Sequence, residues 1–370
     1  FIKFKGKKII DLKKNNLHVV NYSSKIKQVL NLNNLQKNLY SLKDNPNSIP
    51  YVTSYYEKNW GFCMSHNNRK NLKKGDYECF IDSKFKKGSL INGLTKLKGK
   101  SKKINLLSTY LCHPSMANNE LSGPLVLIGL YERIKNWKNR NFTYYFLVNP
   151  ETIGSLCFLK THGNLLKKCL NSGLVLTCLG GPQKQLSYKL SKSENSTLDK
   201  LFKYLAINKK CKIRAFDATS GSDERQYNSP GFNLKVGNVC RTVYGQYRHY
   251  HSSGDTKKFM KISNVMKSIN ELERILFYND QLLPFKRVMP YGEIMLGKHK
   301  LYPNINFQKK NKKFSRLTKI ILNILCYADG NNTILDLCKK FNYDFLECLE
   351  AQKICLDKKF IKFYDNTNHR

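Results

Sequence analysis

Four polar clusters along the sequence contain side chains that can bind a metal ion or move a proton. The first contains His113, which directly follows an apolar segment, and continues into a polar turn. A histidine at the carboxyl end of a strand, close to such a turn, is well placed to ligate a metal. The same pattern fits a capped strand-to-helix turn in which Asn119 or Ser122 caps the next helix. Spacing alone leaves both interpretations open.

The other three clusters also combine acidic and basic groups with small residues. Glu151 in the second cluster is either a catalytic group or a favourable partner for a helix dipole at its N-terminus. The polar candidates of the third and fourth clusters are Asp223, Arg241, Tyr250 and His251.

Alternating strands and helices must position these clusters. Apolar periodicity predicts strands at 104–110, 142–148 and 174–178, and helices at 124–137 and from about 152 to 158. Such alternation is typical of an α/β sheet covered by helices on both faces, with functional groups gathered at strand ends. The four clusters are therefore predicted to form one shared site.

The two ends of the chain differ from this central part, which gives predicted domains at 1–100, 101–285 and 314–370 with a linker at 286–313. The first domain is predicted to be β-rich, and the last to be a winged helix-turn-helix. Their predicted elements are strands at 51–56 and 77–82, a helix around 24–42, helices at 317–328, 333–341 and 344–356, and a wing strand around 360–363. The acidic residues of the helix at 344–356, which would be the recognition helix, favour protein docking over DNA binding.

Composition limits the remaining functions. The 370 residues carry a net charge of +39, but Lys greatly outnumbers Arg, Asn is abundant, and the basic residues are spread along the chain. This pattern favours an A/T-rich genome over a nucleic-acid footprint, which would be clustered and contain Arg. The twelve cysteines form no C-x-x-C pair, which predicts a reducing, cytoplasmic setting. No apolar run is long enough to cross a membrane.

The ordered motifs resemble the co-catalytic zinc aminopeptidase family. More narrowly, they resemble bacterial aminopeptidase-like proteins that have an inserted β-rich domain and a winged-helix tail and are often found with polysaccharide-biosynthesis genes. The matching stretches are 49–56, 60–63, 112–115, 150–155, 221–227 and 250–251. The resemblance implies a three-layer zinc-aminopeptidase-like α/β sheet, an N-terminal β-rich inserted domain and a C-terminal winged-helix domain. It also implies that the chain begins inside the inserted domain.

The resemblance implies roles for individual residues as well. His113 and His251 match the two histidine ligands, and Glu151 matches a general base or ligand. Asp223, Arg241 and Tyr250 match positions expected to line the substrate site. Asn119 stands at the metal position where the family has a bridging Asp, and Gly181 stands where close relatives have an acid. Two cations close together need negative ligands, so a single zinc ion is predicted rather than two.

The predicted function is an aminopeptidase-like zinc hydrolase of an amide or peptide bond, linked to surface-polysaccharide biosynthesis. Glu151 would accept a proton from water, and Arg241 or Tyr250 would stabilise an oxyanion. The alternative is a catalytically impaired peptidase-fold scaffold that docks a partner through its winged helix. The predicted partners are a peptide or amide-bearing small substrate and a protein partner or second copy of the chain, with no specific nucleic acid and no membrane.

Overall fold

The chain forms two compact units in the computed structural model, which describes residues 1–302 and 312–364. The first unit comprises residues 1–97, 105–137 and 144–273. The second comprises residues 98–104, 138–143 and the described residues from 274 onward.

The regular elements follow one another along the chain, with strands and helices numbered separately. The strands are β1 (Ile2–Phe4), β2 (Lys7–Ile10), β3 (Ile26–Asn31), β4 (Leu39–Tyr40), β5 (Phe62–Cys63), β6 (Asp76–Ile81), β7 (Gly93–Leu97), β8 (Ile104–Tyr110), β9 (Thr143–Asn149), β10 (Leu170–Leu176), β11 (Leu186–Lys189), β12 (Cys211–Arg214), β13 (Val236–Cys240), β14 (Phe285–Arg287) and β15 (Ile361–Phe363). The α-helices are α1 (Leu32–Gln36), α2 (His66–Lys70), α3 (Ser122–Ile134), α4 (Ile153–Cys169), α5 (Thr197–Ile207), α6 (Glu224–Tyr227), α7 (Ile262–Asp280), α8 (Lys312–Cys326), α9 (Ile334–Phe341) and α10 (Phe345–Asp357).

A seven-stranded sheet with the order β12-β11-β13-β10-β8-β9-β7 forms the centre of the first unit. All seven residues of β8 are buried, and β10 and β13 pair in parallel. Strands covered on both faces have such continuous burial, because helices pack on each side of the sheet. The predicted α/β fold is therefore confirmed, and the predicted core strands correspond to β8, β9 and β10.

Helix α3 begins very close to the central strands, and Gly123 makes this approach geometrically acceptable. A Cβ atom at Gly123 would lie 2.3 Å from Thr109 Oγ1 and 2.6 Å from the carbonyl oxygen of Leu176. A side chain there would therefore displace the start of α3. The predicted helix at 124–137 is confirmed with slightly earlier limits, whereas α4 continues to Cys169, well beyond the predicted end near 158.

The N-terminal residues form a four-stranded antiparallel sheet with the order β2-β1-β6-β3. The predicted strand at 77–82 is confirmed as β6. The predicted helix at 24–42 is wrong for most of its length, because residues 26–31 pair with β6 and only α1 is helical. The predicted strand at 51–56 is also wrong, since this segment has only an isolated bridge at Thr53.

The second unit contains the predicted winged-helix elements. Helices α8, α9 and α10 are followed by β15, which pairs antiparallel with β14. Thr333 and Asp336 form a capping box at the start of α9, which satisfies backbone donors at this helix end. Residues 303–311 of the predicted linker lie outside the described residues, and the predicted domain limits stay predictions. Among the helices of the described ranges, none is long and apolar enough to cross a membrane.

Candidate metal centre

The polar clusters meet where the chain leaves the central strands, and the backbone there is unusual. Four non-glycine residues in these loops have positive φ angles: Ser115 at 60°, Thr152 at 64°, Cys178 at 50° and His251 at 50°. Such conformations are disfavoured for residues with a Cβ, and they persist where surrounding contacts hold the chain in place. Strained turns therefore set the directions of the side chains in this region.

His113 is held by a carboxylate on the following turn. Its Nδ1 atom lies 3.0 Å from Glu120 Oε2, and Glu120 Oε1 also accepts the backbone N–H of Cys112. The other ring nitrogen of His113, Nε2, lies 3.6 Å from Glu151 Oε2. A carboxylate bound to one nitrogen of a histidine fixes the ring and directs the other nitrogen towards a ligand.

The two carboxylates and a thiol also control the protonation of His113. Burial alone would lower the pKa of its imidazole, but hydrogen bonds to Cys112 and Glu120 and the charge of Glu151 raise that pKa to about 10. Without a metal, the ring is therefore protonated at neutral pH. A metal ion must displace this proton, because only neutral imidazole is a ligand.

Glu151 is held next to His113 by a serine from the third cluster. Ser222 Oγ donates a 2.6 Å hydrogen bond to Glu151 Oε1, which leaves Oε2 facing His113. Burial raises the pKa of Glu151, while the nearby His113 charge and the Ser222 hydrogen bond lower it in part. This arrangement suits a carboxylate that accepts a proton from water.

His251 lies beside His113 and is enclosed by two tyrosines. The centres of the two imidazole rings are 5.1 Å apart. Tyr250 stacks on His251 at 3.9 Å, and Tyr51 contacts both histidine rings at 5.3 Å. Burial and the charge of His113 lower the pKa of His251 to about 4, so its ring is neutral. Its buried Nε2 atom has no hydrogen-bond partner among the described residues.

Asn119 lies on the inner side of this group and carries no charge. Its Oδ1 atom is within 3.4 Å of Tyr110 Oη and 3.7 Å of Cys178 Sγ, and its residue is 1% exposed. The Tyr110 ring in turn contacts His113 at 5.3 Å. Gly181 has no room for an acid, because a Cβ atom there would lie 1.7 Å from Thr242 Oγ1.

Two buried aspartates position the loops. Asp255 accepts the backbone N–H groups of Asn118 and Asn119 at 2.7 and 2.8 Å, and so fixes the turn before α3. Asp223 accepts the backbone N–H of Thr152 at 2.7 Å and the hydroxyl of Ser155 at 3.0 Å. Asp223 therefore stabilises the strained turn that carries Glu151.

Arg241 makes its contacts with another part of the unit. Its guanidinium group binds Glu271, donates to Ser268 Oγ at 2.9 Å and donates to the carbonyl oxygens of Gln183 and Lys184. Five of the predicted site residues therefore lie in one group: His113, Asn119, Glu151, Tyr250 and His251. Asp223 supports the turn that carries Glu151, and Arg241 forms a separate ion pair with Glu271.

The side chains fit a zinc ion by their chemistry. Imidazole, carboxylate and thiol groups are the usual zinc ligands, and the unpaired Nε2 atom of His251 is a neutral donor without another described use. Sequence reasoning missed the contributions of Cys112, Glu120, Ser222 and Tyr51. Cys112, Ser222 and Tyr51 lie within the motif stretches, and Glu120 lies in the polar turn that follows 112–115.

Comparison with known proteins gives the family of the chain. The chain belongs to the family described as "Domain of unknown function (DUF4910)", which matches residues 10–281, and a winged helix-turn-helix family matches residues 284–362. A relative from Clostridium acetobutylicum is 34% identical over 343 residues, covering 92% of this chain and 77% of its own length. The name of that relative assigns it to polysaccharide biosynthesis, with an aminopeptidase-like domain.

Solved structures show the same fold. A crystal structure from Clostridium acetobutylicum, described as that of a peptidase, has 32% identity and a TM-score of 0.84, and the match covers 98% of this chain and 82% of that one. A zinc aminopeptidase from Bacillus subtilis has 11% identity and a TM-score of 0.50, covering 65% of this chain and 62% of its own. The chain is therefore an aminopeptidase-like protein with a peptidase fold and a C-terminal winged helix.

Proposed function

We propose that this chain is a zinc-dependent hydrolase of an amide or peptide bond, in which His113 and His251 hold the ion. The observation that carries this proposal is the buried Nε2 atom of His251, which has no partner in the described part of the chain and whose ring lies 5.1 Å from that of His113. A buried polar atom without a partner is costly, and coordination of a cation would remove that cost.

The mechanism assigns each remaining group a task. A zinc ion, when bound, would make water a stronger acid and polarise a carbonyl group. Glu151 would accept the proton of the attacking water and deliver it to the leaving amine nitrogen. Ser222 holds the Glu151 carboxylate in place through its 2.6 Å hydrogen bond. We assign the oxyanion contact to Tyr250 rather than Arg241, because Glu271 and Ser268 already bind the guanidinium group.

The substrate would enter beside His113. A cavity of about 570 Å³ is lined there by residues that include His113, Met116, Glu120 and Lys257. This volume suits a small ligand. The name of the Clostridium relative, which refers to polysaccharide biosynthesis, makes an amide on a sugar precursor a second substrate class beside a peptide N-terminus.

A second candidate function is a peptidase-fold scaffold without catalysis. The neutral Asn119 and the closely packed Gly181 support it, since neither position supplies the negative charge that a pair of metal ions needs. The α10 region exposes Asp344, Glu350 and Asp357 beside Lys353, Lys358 and Lys359. This mixed charge would then suit a protein partner better than the phosphates of a nucleic acid.

Metal analysis with activity assays separates the two functions. The purified chain should retain about one zinc ion, and His113→Ala should lose it, whereas the control His162→Ala on α4 should not. Glu151→Gln should keep the metal but lower kcat by at least about 100-fold on aminoacyl p-nitroanilides or N-acetylated sugars. A chain that binds no zinc and hydrolyses neither substrate class would contradict the hydrolase and support the scaffold.

A further inference from the structure

We propose that Cys112 is a thiolate ligand of the metal ion, an inference that rests on the proposed function. Among the described residues, Cys112, His113 and Glu151 form a group whose sulfur, ring nitrogen and carboxylate oxygen lie within 4.8 Å of one another. Sulfur, nitrogen and oxygen from these three residue types are the donors that zinc binds in proteins. The predicted metal residues, His113, Asn119 and His251, therefore omit a donor that the fold brings to the same place.

The spacing of this group is close to the spacing that a tetrahedral zinc ion requires. Bonds of the usual zinc lengths place neighbouring donors about 3.3–3.8 Å apart in a tetrahedron. The Cys112 sulfur lies within 4.8 Å of a ring nitrogen of His113, so an approach of about 1 Å would give such a spacing. The Cys112 side chain is exposed, so a rotation about its Cα–Cβ bond can bring the sulfur closer to the metal position beside His113 without disturbing the core.

Two nitrogen atoms of the site lie close to the sulfur of Cys112. The backbone N–H of Glu151 donates to Cys112 Sγ at 3.4 Å, and His113 Nδ1 lies at the same distance from it. These contacts keep the sulfur beside His113 and Glu151, and a metal ion would bind it as a thiolate. Cys112 therefore differs from Cys157, which is also exposed but belongs to no group of possible metal ligands among the described residues.

A thiolate would also supply negative charge that the predicted metal positions lack. Asn119 is neutral, and Gly181 has no space for an acidic side chain. The Cys112 thiolate would then be the negative ligand of the divalent ion, beside the Glu151 carboxylate that accepts the proton. The carboxylate that is missing from the turn before α3 would be replaced by a sulfur just beyond the end of β8.

Cobalt substitution of the full chain tests this inference by spectroscopy rather than by activity. A Co²⁺ ion bound by a thiolate shows strong sulfur-to-metal charge-transfer absorption in the near ultraviolet. The wild-type chain and the control Cys157→Ser should show this band, and Cys112→Ser should lose it. Zinc affinity of Cys112→Ser should fall by more than the roughly 10–100-fold that follows loss of a hydrogen-bond partner to a ligand.

Alkylation provides a second measurement that needs no variant. Zinc should slow the reaction of iodoacetamide with Cys112 at least about tenfold in the wild-type chain while leaving Cys157 unaffected, as followed by mass spectrometry. A chain that binds metal but shows no charge-transfer band and no protection of Cys112 would overturn the thiolate ligand and leave the proposed hydrolase intact. A chain that binds no metal would overturn both.

Discussion

Replacement of Glu120 by Gln tests how this chain holds His113. The two oxygens of the Glu120 carboxylate face two donors, the backbone N–H of Cys112 and the Nδ1 atom of His113. Glutamine has only one acceptor oxygen, so its NH₂ group must face one of these donors. The Glu120→Gln variant thus loses one hydrogen bond and places two donors against each other in a buried position.

The size of the effect follows from this burial. His113 is 7% exposed and Glu120 is 4% exposed, so water does not replace the lost acceptor. An unsatisfied buried donor costs about 1–3 kcal/mol. Loss of a carboxylate partner of a ligating histidine lowers metal affinity about 10–100-fold, which corresponds to about 1.4–2.8 kcal/mol. The two ranges overlap, and we expect a loss of zinc affinity of this size.

Proton competition makes the expected loss depend on pH. The pKa of His113 is about 10 in the metal-free chain, with Glu120 among the causes of the increase. Glu120→Gln lowers that pKa, so fewer protons compete with zinc at pH 7 and part of the loss is offset. The affinity loss should therefore be larger at pH 9 than at pH 7.

Chelator-buffered zinc titrations at both pH values provide the assay. The matched control is Glu132→Gln on α3, where the carboxylate binds Lys135 at the surface. Far-ultraviolet circular dichroism would establish that both variants fold. A folded Glu120→Gln chain with unchanged zinc affinity at pH 9 would refute the role of Glu120 in positioning a ligating histidine.

Three further predictions follow from the same contacts. The pKa of His113 is about 10 in the folded chain and about 6.5 in the unfolded chain, so protonated His113 stabilises the metal-free fold fully below pH 6.5 and loses this effect as the pH rises through 10. Denaturation in the presence of a chelator should therefore show an unfolding free energy that falls with pH over this range. The variant His113→Gln should show a weaker dependence on pH. Gly123→Ala should lower the free energy of unfolding by about 1–3 kcal/mol, because the new Cβ atom would collide with Thr109. Gly231→Ala is the control, since the space around Gly231 is open. Equal melting temperatures of the two variants would contradict this prediction. Asp223→Asn should lower the free energy of unfolding by about 1–3 kcal/mol and reduce activity, because Asp223 holds the turn after β9. An unaltered free energy of unfolding would contradict this role of Asp223 in the turn.

The regular elements of the core could be predicted because their signals are local. The apolar run at 104–110 and the periodic spacing after residue 122 correspond to β8 and α3. The segment at 51–56 could not be predicted in the same way. Its aromatic and β-branched residues favour a strand, but the backbone N–H of Tyr51 bonds to the carbonyl oxygen of His251, about 200 residues away.

The candidate site shows the same division at the level of side chains. The order of the motifs along the chain is enough to predict that His113, Glu151 and His251 share one site. The placement of Ser222 against Glu151 and of Glu120 against His113 depends on turns with positive φ angles, whose directions no local pattern encodes. Arg241 has the residue type of an oxyanion donor, yet its guanidinium group is bound to Glu271.

Apolar periodicity and motif order are properties of the chain, so they are enough to predict the peptidase-like core, the winged helix and the residue types that could hold a metal. The contacts between atoms emerge only in the folded chain. There Nε2 of His251 is buried without a partner among the described residues, and the sulfur of Cys112 lies near His113 and Glu151. The reason is physical. Ligand geometry depends on contacts between residues far apart in the chain, and these form only when the sheet and its strained turns are complete.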